Sequence, residues 1–220
     1  MGVFGFGRAK TAVPAAEWFT KTYGSRLGKR AVTFREAIAR VASGDSTRRT
    51  IVETGCVRER NDYSAGYSTV IFAEFVRRYG GHVSTVDLSA RNMALCRRVT
   101  KRWADLISYE VGDSIAYLAA WPGPAIDLLY LDSWDYPVVA DDGSQAASQA
   151  HCLGELEAAL PWLHPRSVVL IDDGALPGGG KPLLAKRRLT ELGWQCFMDA
   201  YQTLWTPAGA NGLDLPRRMR

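Results

Sequence analysis

Apolar and polar positions along this chain change period once, near residue 50. Before it, residues 14–23 and 33–42 carry apolar side chains at helical spacing and predict two amphipathic helices. Thr33, with Glu36 three residues on, has the spacing of a capping box that would open the second helix. After it, short apolar runs of β-formers alternate with helical stretches. Strands are expected at 50–54, 83–87, 107–111, 126–132 and 167–172, with helices at 67–79, 90–103, 114–120, 144–160 and 183–192. Two last runs, 194–198 and 201–205, are separated only by Asp199-Ala200, which suits an antiparallel hairpin. Three strand segments finish on acids: Val83 to Asp87, Ile126 to Asp132 (running on to Ser133-Trp134-Asp135), and Ser167 to Asp172-Asp173. Runs this apolar read as strands covered on both faces, so each acid sits where a buried strand emerges. In open α/β sheets ligands bind beyond the carboxyl ends of the strands, and three acids there point to one shared pocket.

The expected fold is therefore α/β: a doubly wound, mostly parallel seven-stranded sheet with a terminal antiparallel hairpin and an N-terminal helical cap. Residues 1–46 form the cap, 47–210 the sheet domain and 211–220 a basic tail. No repeat or linker divides the 220 residues, and 47% hydrophobic with 23% charged residues fits one globular core. No apolar stretch approaches a membrane span, the N-terminus lacks the apolar run of a signal peptide, and a cytoplasmic location is expected. Cys56, Cys96, Cys152 and Cys196 are scattered, without zinc spacing, and read as free thiols. The net charge of +4 comes partly from Lys186-Arg187-Arg188 and from Arg217, Arg218 and Arg220. No basic stripe with interleaved aromatics accompanies it, so neither nucleic acid nor membrane is an expected partner; a homo-oligomer is compatible with the sequence.

Candidate chemistry begins at the first strand, Ile51-Val52-Glu53-Thr54-Gly55-Cys56, where a glycine lets a ligand approach the backbone. Asp87 can accept hydrogen bonds from a ribose diol, and Gly112-Asp113-Ser114 offers polar groups after the third strand. A nicotinamide site is disfavoured, because no glycine follows Gly55 for ten residues. The acid-x-Gly-x turn (VETGC), the acid ending strand two (VSTVD), the turn VGDS and the terminal hairpin together resemble the class I S-adenosylmethionine-dependent methyltransferases, over about residues 50–206. The resemblance implies Glu53 and Gly55 near the methionine moiety, Asp87 at the ribose, and Asp113 with Ser114 at the adenine; Cys56, Ser68, Thr69, Leu88 and Asp132 complete the cofactor pocket. The family's second glycine is displaced here to Gly66, leaving residues 57–65 as a loop that either overhangs the site, with Arg58, Arg60 and Tyr63 facing substrate, or is an ordinary surface loop.

Three carboxylates in one pocket repel unless a proton or a cation intervenes, and oxygen-only ligands suit Mg²⁺ or Ca²⁺. The segments LDSWDY and LIDDG resemble the metal-dependent O-methyltransferases of the catechol and macrolide- or aminocoumarin-sugar types, nearer the latter because of the Asp-Asp pair. The resemblance implies Asp132, Asp172 and Asp173 as ligands of Mg²⁺ (or Ca²⁺ or Mn²⁺) and Asp135 as the base. Asp141-Asp142 reads as a helix entry, Gly178-Gly179-Gly180-Lys181 as a turn before a helix that could line the acceptor pocket, and His82, His151 and His164 as structural. The expected activity is Mg²⁺-assisted methyl transfer to a hydroxyl of a small molecule or sugar, catechol-like or a vicinal diol. The rivals are a metal-independent methyltransferase and a non-catalytic S-adenosylmethionine-binding module.

Overall fold

The computed structural model describes residues 13–44, 48–63, 67–139 and 143–209. The expected tail at 211–220, the acids Asp141-Asp142 and the glycine Gly66 lie outside these residues. Seven helices and seven strands occur in the order α1 (Ala15–Tyr23), α2 (Ala31–Ser43), β1 (Thr50–Thr54), α3 (Ser68–Tyr79), β2 (His82–Asp87), α4 (Ala90–Val99), β3 (Ile107–Val111), α5 (Ser114–Ala119), β4 (Ile126–Leu131), α6 (Ser144–Ala159), β5 (Leu163–Ile171), α7 (Leu183–Glu191), β6 (Trp194–Asp199) and β7 (Thr203–Pro207) among the described residues. They build one sheet of order β3-β2-β1-β4-β5-β7-β6, parallel except that β7 runs antiparallel to both β5 and β6. This is the expected doubly wound sheet with its terminal hairpin.

Alternation along the central strands explains the two layers of helices. Ile51, Val83, Leu128, Tyr130 and Leu170 face one side and pack with Phe34 and Ile38 of α2, Phe72 and Phe75 of α3 and Met93 of α4. Val52, Leu129, Leu131, Val169 and Ile171 face the other and pack with Leu118 of α5, Leu156 of α6 and Leu189 of α7. The N-terminal helices belong to the first layer. Phe34, fully buried, lies 5.4 Å from the Tyr130 ring, 5.7 Å from Phe72 and 6.4 Å from Phe19, measured between centroids. The cap is thus part of the main core, packed over the middle of β4.

Several boundaries differ from the sequence expectation, each for a local reason. Helix α2 opens at Ala31, straight from a 3₁₀ turn at Gly28–Arg30, so Thr33 is not an N-cap. Its buried hydroxyl instead donates to Gln202 Oε1 at 2.5 Å. The helix expected at 90–103 ends at Val99, because Thr100 leaves helical geometry at φ −101°, ψ 7°, and a 3₁₀ segment, Lys101–Leu106, follows. Strand β5 begins at Leu163, carrying Pro165 where its register with β4 is irregular, the place a strand tolerates proline. Strand β7 starts at Thr203, which leaves Tyr201 and Gln202 in the hairpin turn with their side chains turned toward the ends of β4 and β5.

Truncating Phe34 removes a ring held by three elements, and Phe34→Ala is expected to cost roughly 3–5 kcal/mol of stability. Urea unfolding followed by circular dichroism and by tryptophan fluorescence should shift as one transition. An early, separate melting of the N-terminal helices beside an unchanged main transition would show that the cap folds on its own.

Candidate active site

Strands β1 and β4 are neighbours in the sheet, but the chain leaves them toward opposite layers. A crevice therefore opens beyond their carboxyl ends. Gly55 stands at its floor, at φ +80°, with its amide donating to Val86 O at 2.8 Å. A Cβ there would lie 2.5 Å from the Asp132 carbonyl oxygen, so only glycine lets the two strand ends stay this close. From Gly55 a cleft of about 650 Å³ runs past Val86, Asp87, Leu88, Ser89 and Asn92 to Gly112, Asp113 and Ser114. Ser133, Trp134, Asp135 and His151 form its opposite wall. A smaller hollow adjoins it, bounded by Cys56, Arg58, Tyr67, Ser68 and Asp132. The volume suits a nucleoside-sized ligand. A depression of about 530 Å³ near Trp18, Arg78 and Trp103 lies at the other end of α3, where Arg102 already pairs with Glu74 at 2.6 Å.

Most residues singled out for the cofactor converge here. Asp87 accepts from Cys56 N at 3.2 Å, from Ser89 N at 2.7 Å and from Asn92 Nδ2 at 3.3 Å, which fixes its carboxylate at the cleft edge. Leu88 is exposed at the mouth. Asp113 caps α5 by accepting from Ala116 N at 2.8 Å, and the Ser114 hydroxyl lies 3.1 Å from His151 Nε2. Glu53 is fully buried behind Gly55; its Oε2 accepts from Thr69 Oγ1 at 2.6 Å, while Oε1 has no hydrogen-bond partner among the described residues. Thr69 also accepts from Val57 N at 3.1 Å, tying the start of α3 to the loop after β1. Burial pushes the Glu53 carboxyl up to about 7, against the hydroxyls of Ser68, Thr69 and Thr85.

The acids at the ends of β4 and β5 also meet. One oxygen from each of Asp132, Asp172 and Asp173 lies within 4.8 Å of the others. Two cations of the chain stand among them. Lys181, fully buried, places Nζ 2.6 Å from Asp132 Oδ1 and 3.4 Å from Asp173 Oδ2. Arg30 grips Asp172, with Nη2 at 2.6 Å from Oδ2 and Nε at 3.1 Å from Oδ1. Tyr130 and Tyr201 donate to Asp132 Oδ2 and Asp173 Oδ1, each at 3.1 Å. Burial raises the Asp132 carboxyl above its ordinary range, the Lys181 ammonium opposes this, and Asp172 and Asp173 add to the rise. Burial alone would depress Lys181, but the carboxylates of Asp132, Asp173 and Asp172 outweigh it and hold the ammonium charged. With an ammonium already hydrogen-bonded to Asp132 and ion-paired with Asp173, the donor set as arranged does not fit a divalent ion.

Asp135 sits on the rim, exposed, in a two-pronged pair with Arg58 at 2.7 and 2.9 Å. The Arg58 guanidinium holds its carboxyl below the usual range despite partial burial. The loop after β1 therefore does reach over the crevice, through Arg58. His151, read from sequence as structural, lines the cleft: its Nε2 lies 3.1 Å from Ser133 Oγ and 3.4 Å from Glu155 Oε1, and Glu155 raises its pKa against burial. Arg30 and Lys181 were the other residues whose place sequence reasoning missed. The glycine run before Lys181 was the available signal, since three consecutive glycines permit a path that other residues cannot follow.

The raised Glu53 pKa has a stability consequence with a definite sign. In the unfolded chain Glu53 ionises near its ordinary pKa of 4.5; in the folded protein it holds its proton to about pH 7. Its contribution is therefore full below about pH 4.5 and is lost as pH rises toward 7, by up to roughly 3 kcal/mol. Glu53→Gln should flatten that part of the curve of melting temperature against pH. An unchanged slope between pH 5 and 7 would mean the carboxyl is not held protonated.

Comparison with known proteins agrees with this architecture. The family described as a methyltransferase domain matches residues 63–174, just over half of the chain. No curated protein matches it. Among solved structures, the Podospora anserina methyltransferase PaMTH1 with SAH bound is similar at 17% identity and TM-score 0.56, over 87% of this chain and 85% of that one. The calicheamicin methyltransferase CalS11 is similar at 16% identity and TM-score 0.56, over 89% and 91%. An O-methyltransferase from Bacillus cereus in complex with SAH is similar at 16% identity and TM-score 0.51, over 87% and 90%. At these identities the structures establish the fold, and the family match carries the assignment: this chain belongs to the methyltransferase-domain family and has the class I methyltransferase fold.

Proposed function

We propose that this protein transfers a methyl group from S-adenosylmethionine to a hydroxyl of a small molecule or sugar. The observation that carries the reading is the continuity of two sites at one strand switch point. A nucleoside-sized cleft edged by Asp87, Asp113 and Ser114 adjoins, at Gly55, a smaller hollow lined by Asp132, one acid of the Asp132–Asp172–Asp173 cluster. The two neighbours solved with SAH lend support to the cofactor, and the B. cereus neighbour is itself an O-methyltransferase. Free Cys56, Cys96 and Cys152, all buried, and Cys196 suit a reducing compartment, and the proposed location is the cytoplasm.

When bound, the sulfonium of the cofactor supplies an electrophilic methyl group, so alignment and proton removal are left to the protein. Asp87 would take the ribose hydroxyls, with Leu88 beside it and Cys56 bracing its carboxylate from below. Asp113 and Ser114 would lie along the adenine. Glu53, whose Oε1 lacks a donor, has the acceptor an ammonium group requires, and Ser68 and Thr69 hold that corner of the pocket. Asp135 is the proposed base. Its pairing with Arg58 keeps it ionised, hence able to accept a proton, and at the rim, where an acceptor enters.

A Mg²⁺-assisted version is the second reading, favoured by an oxygen-only donor set within 4.8 Å. It requires Lys181 to leave its seat between Asp132 and Asp173.

Two measurements test the proposal. Asp87→Ala should weaken S-adenosylmethionine binding by roughly 1.5–3 kcal/mol in calorimetric titration of the folded protein. An unchanged affinity would remove Asp87 from the cofactor site. With methyl-labelled cofactor and a panel of sugar and aromatic diols, Asp135→Asn should lower kcat about 10²–10⁴-fold and leave cofactor affinity alone. Retention of more than about a tenth of the turnover would dismiss Asp135 as the base.

A further inference from the structure

The loop that delivers Lys181 is built for that purpose. Gly178, Gly179 and Gly180 all have positive φ, at +67°, +89° and +63°. A Cβ on Gly180 would collide with the Asp173 carbonyl oxygen, so glycine alone lets the loop fold back over the end of β5. The turn is fastened from two other elements. Gln149 of α6 donates to Gly180 O at 3.1 Å and to Gly178 O at 3.3 Å, and Tyr136 OH donates to Pro177 O at 2.7 Å. Pro182 follows, and α7 starts directly after it. The ammonium that results is 1% exposed, hydrogen-bonded to Asp132 after β4 and ion-paired with Asp173 after β5.

We propose that Lys181 is the resident cation of this site: it occupies the place a divalent ion would need, and methyl transfer runs without a metal. This rests on the methyltransferase reading above for its second half only. Three acids face two fixed cations, Lys181 and Arg30, so little negative charge is left uncompensated to attract a divalent ion. A divalent ion entering beside Lys181 would meet an ammonium with little solvent between them, and Lys181 has no room to withdraw without unfastening its loop. Lys181 is a positioning residue: it holds Asp132 and Asp173 at a fixed separation.

The test is Mn²⁺ binding by the full chain, read by the loss of the free-ion paramagnetic signal and by the melting temperature. Wild type should bind no Mn²⁺ more tightly than about 1 mM, the weak end of oxygen-ligand sites. Lys181→Met strands the three acids and should gain one Mn²⁺ per chain at least about tenfold more tightly, with a melting temperature that Mn²⁺ raises. Lys181→Gln is the companion should the methionine variant not fold, and should neither fold, the wild-type titration decides alone. Stoichiometric Mn²⁺ binding by wild type at micromolar concentration overturns the proposal, as does a folded variant with no gain. Turnover of wild type should also withstand EDTA. Cofactor calorimetry on the same sample separates the two ideas: lost S-adenosylmethionine binding would sink the methyltransferase reading and leave the metal result standing.

Discussion

Five charged side chains buried or half-buried at the ends of β4 and β5 set the terms for this molecule. Asp132, Asp172, Asp173, Lys181 and Arg30 come from four separate stretches of chain, and none could be buried without the others. Arg30 must stand at the head of α2 for Asp172 to be paired, and that placement depends on Phe34 packing over β4 one turn later. A hydrogen-bonded chain runs parallel to this contact, from Thr33 through Gln202 and Tyr130 to Asp132. The N-terminal helices, the hairpin turn and two central strands are therefore coupled through the site. Breaking one partner leaves an uncompensated buried group, which costs more than the intact pairing gains.

How much of this could be read in advance follows from the range of the forces involved. Strand–helix alternation is local: period-2 and period-3.6 patterns declare themselves within a few residues, and every strand was expected near its place. The hairpin was legible because only two residues separate its arms. Asp132, Asp172 and Asp173 were legible as neighbours because each ends a strand, so the sheet itself carries them together. Arg30 was not, since it meets Asp172 across 142 positions of sequence and lies before any strand has formed. Lys181 was read as part of a flexible turn because three glycines look permissive, whereas here they are a requirement of one fixed path. Thr33 misled for the opposite reason: its capping signature is real, but the preceding 3₁₀ turn had already started the helix.

The two halves of the crevice solve the problem of burying acids differently. On the cofactor side Asp87 is satisfied by neutral donors, the amides of Cys56 and Ser89 and the side chain of Asn92, and Glu53 by Thr69 with burial favouring its proton. On the β4–β5 side the acids are met by full charges, Lys181 and Arg30. Neutral donors leave a carboxylate its charge and spare lone pairs with which to engage a ligand; a seated ammonium consumes both. The first half is thus arranged to receive a polar or cationic ligand, and the second to be a rigid electrostatic wall.

That division bears on direction in the proposed reaction. The cofactor arrives with a positive sulfonium and leaves neutral, so only the incoming form gains from residual negative charge. The cofactor side supplies this through Asp87 and, once an ammonium displaces its proton, through Glu53. The wall, where two fixed cations meet three acids, offers no free carboxylate for a sulfonium, so discrimination by charge in the proposed reaction falls to Asp87 and Glu53.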